Sequence, residues 1–472
     1  MKRLKGYSRL VKDFAVKNKR IISIFLFIFG WTLFIGYFLL SLTKPLYQDE
    51  GVFLTIGKGL ATGKLPYLNY WDHKPPGIYF IFSVLYPLFG TKIILYKLFI
   101  WLINLLTGLL VFLVAEKLSK GSGKLSILIF LICLIFFEGN YLNAGPFLGF
   151  FGILSVWLVL QYPKKLFAFV GSGVSIALAI VFKQTAVLGL LPITIYVIFK
   201  KGWGKLFYLF GLSLPIALTA LYLNQMGVLQ EFWKQMALSS NSYPPEPIKQ
   251  VLTAWLDVFK RVWWLWPGVI FSTIKRKLAG QYWLLIFMAL LPILTFFVRS
   301  YPHYWLQVLP YLAVLSGLGW HKLFHYLEEK QMVLGLAIIA LIIIGTTLGN
   351  LSWYKWITDN KSLPREKEQK EIIAQLDQIK GGKLLAENRF TGFYFFADKE
   401  PLNKYLYLTE VNESENARQK TLSDLESGSD VIVLWPKDQE YVYAKEISEW
   451  LDQNCKILAE YPVLDLVIYQ KN

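Results

Sequence analysis

The sequence predicts a polytopic α-helical membrane protein with a small C-terminal α/β domain, and three observations carry that prediction. First, 55% of the 472 residues are hydrophobic and only 17% are charged, a balance that excludes a soluble enzyme. Second, apolar stretches recur along most of the chain, separated by short basic clusters. Third, the charge is split. Residues 1–360 carry 34 Lys and Arg against 12 acids, a net of +22, and residues 361–472 carry 15 against 20, a net of −5, which together give the overall +17. The expected organisation is therefore a membrane domain over residues 1–356 and a soluble domain over residues 357–472.

The basic excess belongs to cytoplasmic loops and anionic lipid rather than to nucleic acid, because it comes as clusters between apolar spans and not as one stripe. Eight Lys or Arg and one acid, Asp13, precede the first apolar stretch. That stretch, residues 21–42, is too long for a signal-peptide core and has no small-residue cleavage site after it, so it reads as a retained span with the N-terminus in the cytoplasm. Later clusters at Lys117/Lys120/Lys124, Lys164/Lys165, Lys200/Lys201/Lys205, Lys275/Arg276/Lys277 and Lys322/Lys330 then fall on the cytoplasmic side. Residues 76–90 are apolar but short and contain Pro76 and Pro87, which suits an interfacial or re-entrant helix rather than a crossing. About eleven transmembrane helices follow: 21–42, 92–115, 125–137, 146–161, 167–181, 185–199, 206–222, 259–273, 281–298, 304–320 and 331–349. The C-terminal domain is then extracytoplasmic.

That domain reads as a helix over 365–380, a strand over 383–386, a strand over 430–435, a helix over 439–454, and strands over 456–461 and 464–469. It contains no glycine-rich phosphate loop. Gly121-Ser122-Gly123-Lys124 has Walker-like letters without the spacing or a preceding strand, and reads as a turn. Cys133 and Cys455 lie in separate regions and suggest neither a disulfide framework nor a thiolate metal site.

The candidate chemistry sits in the first external loop. Asp49 and Glu50 directly follow the first span, and carboxylates beside hydrocarbon are costly unless they are used. Residues 52–60 have the pattern of a short amphipathic helix lying on the membrane, whose positive end would favour both acids. Tyr67, Tyr70 and Trp71 suit either interfacial anchoring or sugar stacking. Asp72, His73 and Lys74 close the loop. Glu138 lies in the next external turn, Lys183 and Gln184 interrupt two apolar spans, and Arg299, His303, Tyr304 and Gln307 lie at a later external break. Cations beside a carboxylate at this depth suit departure of a lipid phosphate from a sugar. Each of them alone also suits a lipid headgroup contact.

The runs Tyr47-Gln48-Asp49-Glu50-Gly51, Gly63-Lys64-Leu65-Pro66-Tyr67, Trp71-Asp72-His73-Lys74-Pro75-Pro76-Gly77 and Leu88-Phe89-Gly90 resemble the first external loop of the GT-C glycosyltransferases. The resemblance is to the dolichyl-phosphate-mannose protein mannosyltransferase group, with the lipid A aminoarabinose transferases and rhizobial-type lipopolysaccharide galacturonosyl transferases as relatives. Phe182-Lys183-Gln184-Thr185 and His303-Tyr304-Trp305-Leu306-Gln307-Val308-Leu309-Pro310 follow in the expected order, so the likeness spans roughly residues 1–350.

The resemblance implies a membrane-bound, inverting transfer of a sugar from a polyprenyl-phosphate donor to a lipid, glycan or protein acceptor at the outer face. Asp49 matches the family's catalytic acid and would act as general base, and Glu50 would position Asp49 or the acceptor, or bind the donor sugar. Lys74, Lys183 and Arg299 or His303 would neutralise the departing phosphate. One departure stands out: in Asn143-Ala144-Gly145-Pro146-Phe147, Gly145 occupies a position where related chains often carry an acid. No obligatory metal is expected, although Asp49, Glu50, Asp72 and Glu138 are the carboxylates that would gather a divalent cation. The alternative from another class is a transporter or flippase of lipid-linked sugars. Against it, the sequence has no internal repeat and its polar groups cluster on one face.

Overall fold

A computed structural model of the protein describes residues 28–471, apart from residues 29, 33, 40, 43–45, 47, 201, 243–245, 275–279, 298–300, 327–361, 380, 409–413 and 439–444. The expected span at 331–349, the residue Arg299, the first part of the span at 21–42 and the expected domain boundary all lie outside the described residues.

Helices dominate. After a first apolar helix, described in part between residues 28 and 41, the chain forms α1 (Gln48–Ala61), α2 (Gly77–Phe89), α3 (Ile93–Leu118), α4 (Gly123–Phe136), α5 (Gly145–Gln161) and α6 (Leu166–Phe182). A 3₁₀ turn, Gln184–Ala186, leads to α7 (Val187–Ile198), then α8 (Gly204–Gln225), α9 (Leu229–Ser242), α10 (Ile248–Arg261), α11 (Leu265–Thr273) and α12 (Gly280–Leu290). Two 3₁₀ segments, Leu291–Phe297 and Pro302–Gln307, precede α13 (Leu309–Tyr326). Three stretches, Ile93–Leu118, Gly204–Gln225 and Gly280–Phe297, are each long and apolar enough to cross a bilayer unaided. At 13 residues, α2 extends only about 20 Å, short of a hydrocarbon core of about 30 Å, and it begins directly after Pro75-Pro76.

Two expectations differ from the structure. The stretch 259–273 is not one helix. Lys260 and Arg261 close α10, residues 262–264 break the path, and α11 has only nine residues. The charged pair and the amphipathic pattern of α10 belong to a different helix from the apolar run that follows. The helix that begins at Gln48 also does not lie open on a surface: Val52, Phe53, Leu54, Ile56, Gly57 and Gly59 are all buried. It is covered on one side by α2 and on another by the C-terminal domain. A Cβ at Gly57 would lie 2.6 Å from Phe82 Cβ, and one at Gly51 would lie 2.5 Å from the Gly392 backbone nitrogen.

Glycines let the membrane helices approach backbone to backbone, as expected where apolar lipid supplies no driving force of its own. A Cβ at Gly211 of α8 would fall 2.2 Å from the Val170 carbonyl oxygen of α6, and one at Gly319 of α13 would fall 1.7 Å from the Gly268 carbonyl oxygen of α11.

The C-terminal part comprises α14 (Ser362–Gln378), β1 (Lys383–Ala386), a short helix α15 (Gly392–Phe396), β2 (Glu400–Pro401), α16 (Ser414–Ser427), β3 (Val431–Pro436), α17 (Lys445–Asn454), β4 (Cys455–Tyr461) and β5 (Leu466–Lys471). The sheet order is β2-β1-β3-β5-β4. β1 runs parallel to β2 and β3, with Leu385 opposite Val433, and β5 runs antiparallel to β3 and β4, with Val433 opposite Tyr469. All six residues of β3 are buried, as its unbroken apolar run requires of a central strand.

Gly319→Leu is expected to lower the detergent melting temperature clearly, because overpacking commonly destabilises by about 1–3 kcal/mol and here a backbone stands in the way. A neighbouring exposed change such as Tyr326→Phe should leave it unmoved.

Candidate active site

The N-terminal turn of α1 presents two adjacent acids, and successive helical residues point about 100° apart. The two therefore meet different surroundings. The Asp49 side chain is 48% exposed and lines a cleft. Glu50 turns inward, where its Oε1 accepts a hydrogen bond from the backbone N–H of Leu142 at 2.8 Å. The cleft is also lined by Phe53, Lys74, Asn143, Gly145, Leu148, Lys183, Thr185, Thr295, Phe296, His303, Tyr304 and Gln307. Residues far apart in sequence, Asp49, Lys74, Lys183, His303, Tyr304 and Gln307, are thus brought to one place.

Lys74 is the electrostatic centre. Its Nζ lies 3.9 Å from Asp49 Oδ2 and 3.8 Å from Asp72 Oδ1, and 4.7 Å from the centre of the Phe53 ring. Asp72 is almost wholly buried, and a carboxylate there needs donors. Its Oδ1 accepts from the His73 N–H at 2.6 Å and from the Tyr407 hydroxyl at 3.4 Å. The loop that presents it is locked at several points. The Gln235 amide accepts from the Asp72 N–H at 3.2 Å and donates to the Tyr67 carbonyl at 2.6 Å, and the Tyr67 hydroxyl donates to the Lys74 carbonyl at 2.8 Å. Tyr67 takes a left-handed backbone, φ 66°, to make that turn. Its phenol pKa is raised well above the usual value, by burial first and then by the charge of Asp72, so it stays a neutral donor.

Lys183 lies in the extended break after α6, outside the helical spans, with its Nζ 3.7 Å from the centre of the Tyr304 ring. Burial, and next the charge of Lys74, pull its pKa down to about 7, while Asp49 opposes the shift. The far end of the cleft is neutral and polar. The Thr185 hydroxyl donates to Gln307 Oε1 at 3.3 Å, and the Gln307 amide donates back to the Thr185 carbonyl at 3.4 Å.

Other expected site residues sit elsewhere. Tyr67 and Trp71 are buried and are not among the residues that line the cleft; the Trp71 ring packs 5.8 Å from Tyr407. Asp72 and His73 lie beneath the cleft rather than in its wall. Glu138 stands behind it, with Oε2 3.0 Å from His303 Nδ1, and adopts a positive φ of 56°. Thr185, and not Gln184, is in the lining, although both belong to the 3₁₀ turn that follows Lys183. Glu50 contacts backbone rather than the cleft. Asp49 and Asp72 share Lys74, while Glu50 and Glu138 have partners of their own, and among the described residues no three metal-ligating side chains gather. An acid does not fit at position 145 without displacement. A Cβ there would lie 2.9 Å from Leu306 Cδ1 and 3.1 Å from the His303 carbonyl oxygen. Sequence reasoning did not select Phe53, Asn143, Thr185, Thr295 or Phe296 as site residues; Asn143 and Thr185 lie within runs compared with the family, while Phe53, Thr295 and Phe296 carry no signal that separates them from ordinary loop and span residues.

A helical membrane body, an acid–lysine cleft in its first inter-helix loop and a small sheet domain packed on that loop together define the class: the chain has the GT-C fold. Residues 73–225 match the family model described as dolichyl-phosphate-mannose-protein mannosyltransferase. The structure is similar to that of ArnT from Cupriavidus metallidurans bound to undecaprenyl phosphate, with a TM-score of 0.62 and 13% identity over 94% of this chain and 97% of that one. It is equally similar to the apo state of the same protein, with a TM-score of 0.63 and 15% identity over 94% of this chain and 98% of that one. No curated protein matches the sequence.

The two adjacent acids should separate experimentally. Glu50→Ala removes a charge-assisted bond to a buried N–H and should lower thermal stability by about 1.5–3 kcal/mol, read from melting in detergent. Asp49→Asn, at a half-exposed position, should melt with the wild type.

Proposed function

We propose that this protein transfers a sugar from a polyprenyl-phosphate carrier to an acceptor hydroxyl at the extracytoplasmic membrane face, with inversion at the anomeric carbon. The observation that carries the proposal is the convergence of one half-exposed carboxylate, Asp49, with two lysines, Lys74 and Lys183, in a single cleft. The fold shared with a protein that binds undecaprenyl phosphate supports a lipid phosphate as the anionic ligand.

The residues divide the work as follows. The carrier phosphate, anionic and losing its sugar, is drawn to Lys74 and Lys183, which offset the charge that grows as the sugar–oxygen bond breaks. A phosphate on Lys74 competes with Asp49 for the ammonium. The carboxylate released in this way stands at the cleft edge to take the acceptor's proton as its oxygen bonds to the anomeric carbon. Proton removal is concerted with attack, since a carboxylate is far less basic than an alkoxide. The proton ends on Asp49, the electron pair of the broken bond on the carrier phosphate, and the sugar on the acceptor. Asn143, Thr185, Thr295 and Gln307 offer neutral donors and acceptors for sugar hydroxyls. Glu50 holds the start of α1 to the second loop, which fixes the direction of Asp49, and the Glu138–His303 pair supports the cleft from behind.

Purified protein incubated with a panel of polyprenyl-phospho-sugars and acceptors should release carrier phosphate only with a competent pair, and Asp49→Asn should reduce release by about 10²–10⁴-fold. Transfer unaffected by that substitution, or translocation of lipid-linked sugar with no release by the wild type, would overturn the proposal.

The pH dependence has a definite sign. Lys183 is cationic below about 7 and neutral above it, so affinity for undecaprenyl phosphate should weaken as pH rises from about 6 to about 9. Bound phosphate favours the ammonium and moves the fall to higher pH. Lys183→Arg keeps its charge throughout and should flatten the profile.

A further inference from the structure

The carboxylate of Asp72 faces the same ammonium as the proposed base, yet it is buried and lies outside the cleft wall. Lys74 stands 3.9 Å from Asp49 and 3.8 Å from Asp72. Both separations exceed the roughly 2.7–2.9 Å of a charge-assisted hydrogen bond. The ammonium stands between the two acids at nearly equal distance from each. Asp72 is held in place by the His73 N–H, by the backbone clamp through Gln235, and by one group from the far end of the chain, the Tyr407 hydroxyl at 3.4 Å. The segment that carries Tyr407 is itself tied to the loop, since the Lys404 carbonyl accepts from the Trp71 N–H at 2.8 Å.

We propose that Asp72 and, through it, Tyr407 of the C-terminal domain are positioning residues that hold the Lys74 ammonium off Asp49, so that the lysine stays available to a phosphate and the carboxylate to a proton. This rests on the reading that the cleft takes a polyprenyl phosphate. It gives the C-terminal domain a defined task, which is to complete the electrostatic balance of a site built from the first loop.

Removing a negative charge beside a phosphate site should tighten phosphate binding if only net charge mattered. If Asp72 suspends Lys74, its loss lets the ammonium collapse onto Asp49 and the phosphate must then break a closed ion pair. Binding then weakens instead.

The test uses the full chain in detergent and undecaprenyl phosphate alone as the probe, with binding and melting temperature measured together. Asp72→Asn should weaken binding by about tenfold and Tyr407→Phe, which keeps the ring against Trp71, by about threefold. Tyr407→Phe should add nothing in the Asp72→Asn background, because both act through the same oxygen. Adding Asp49→Asn to Asp72→Asn removes the partner of the collapse and should restore binding towards wild type, while transfer stays lost. A merely structural role for Asp72 would not produce that rescue. Unchanged or tighter binding by Asp72→Asn, independent effects of Asp72→Asn and Tyr407→Phe, or failure of the rescue would each overturn the inference. Absence of any binding by the wild type would overturn the functional reading on which it rests.

Discussion

The site depends on an ammonium kept between two carboxylates of unlike character. Asp49 is half-exposed and stands at the start of a helix; Asp72 is buried, with its donors gathered on Oδ1 alone. A lysine paired with a single acid would form a closed ion pair, useful for stability and poor for chemistry. A second, immobile acid converts that pair into a poised arrangement. The turn at Tyr67, the Gln235 clamp and the packing of Trp71 all serve to put one buried oxygen where it can do this.

The first loop is therefore a rigid insert rather than a mobile connection. α1 is enclosed by α2 on one side and by α15 on another, close enough at Gly51 and Gly57 that no side chain would fit. The Thr391 hydroxyl donates to the Gln48 carbonyl at 2.8 Å, and the Lys58 ammonium donates to the carbonyls of Phe395 and Ala397 at 3.2 and 3.0 Å. Both ends of α1 are thus fastened to the C-terminal domain, which fixes the helix turn that bears Asp49. Enclosure also explains the division between neighbours: with one face of the helix open to the cleft and the rest buried, Asp49 is presented and Glu50 is consumed by the Leu142 backbone.

Much of the architecture was legible because it depends on local pattern. The strand expected at 383–386 matches β1, and the apolar runs near 430 and 466 match β3 and β5 within two residues. Lys183 stood out because a cation among apolar residues is rare, and Lys74 because it closes the polar first loop. What escaped notice is non-local or uncharged. Residues 52–60 look amphipathic in isolation, and nothing nearby reveals that the Lys58 ammonium is bonded to the carbonyls of Phe395 and Ala397. Hydropathy counts residues 259–273 as one apolar block, whereas the chain breaks after Lys260 and Arg261. Tyr407 is one of 27 tyrosines, and only the fold brings it to Asp72. Thr185 and Asn143 are neutral, so their place in the cleft wall had no compositional trace.

Gln48 and Thr391, which join α1 to the C-terminal domain, are 343 residues apart. During synthesis the ribosome delivers Gln48 long before Thr391. The intervening helices must enter the bilayer while the acidic turn waits without its cover. The fastening of α1 is therefore a late step, reached only after the helices between these two residues have been made.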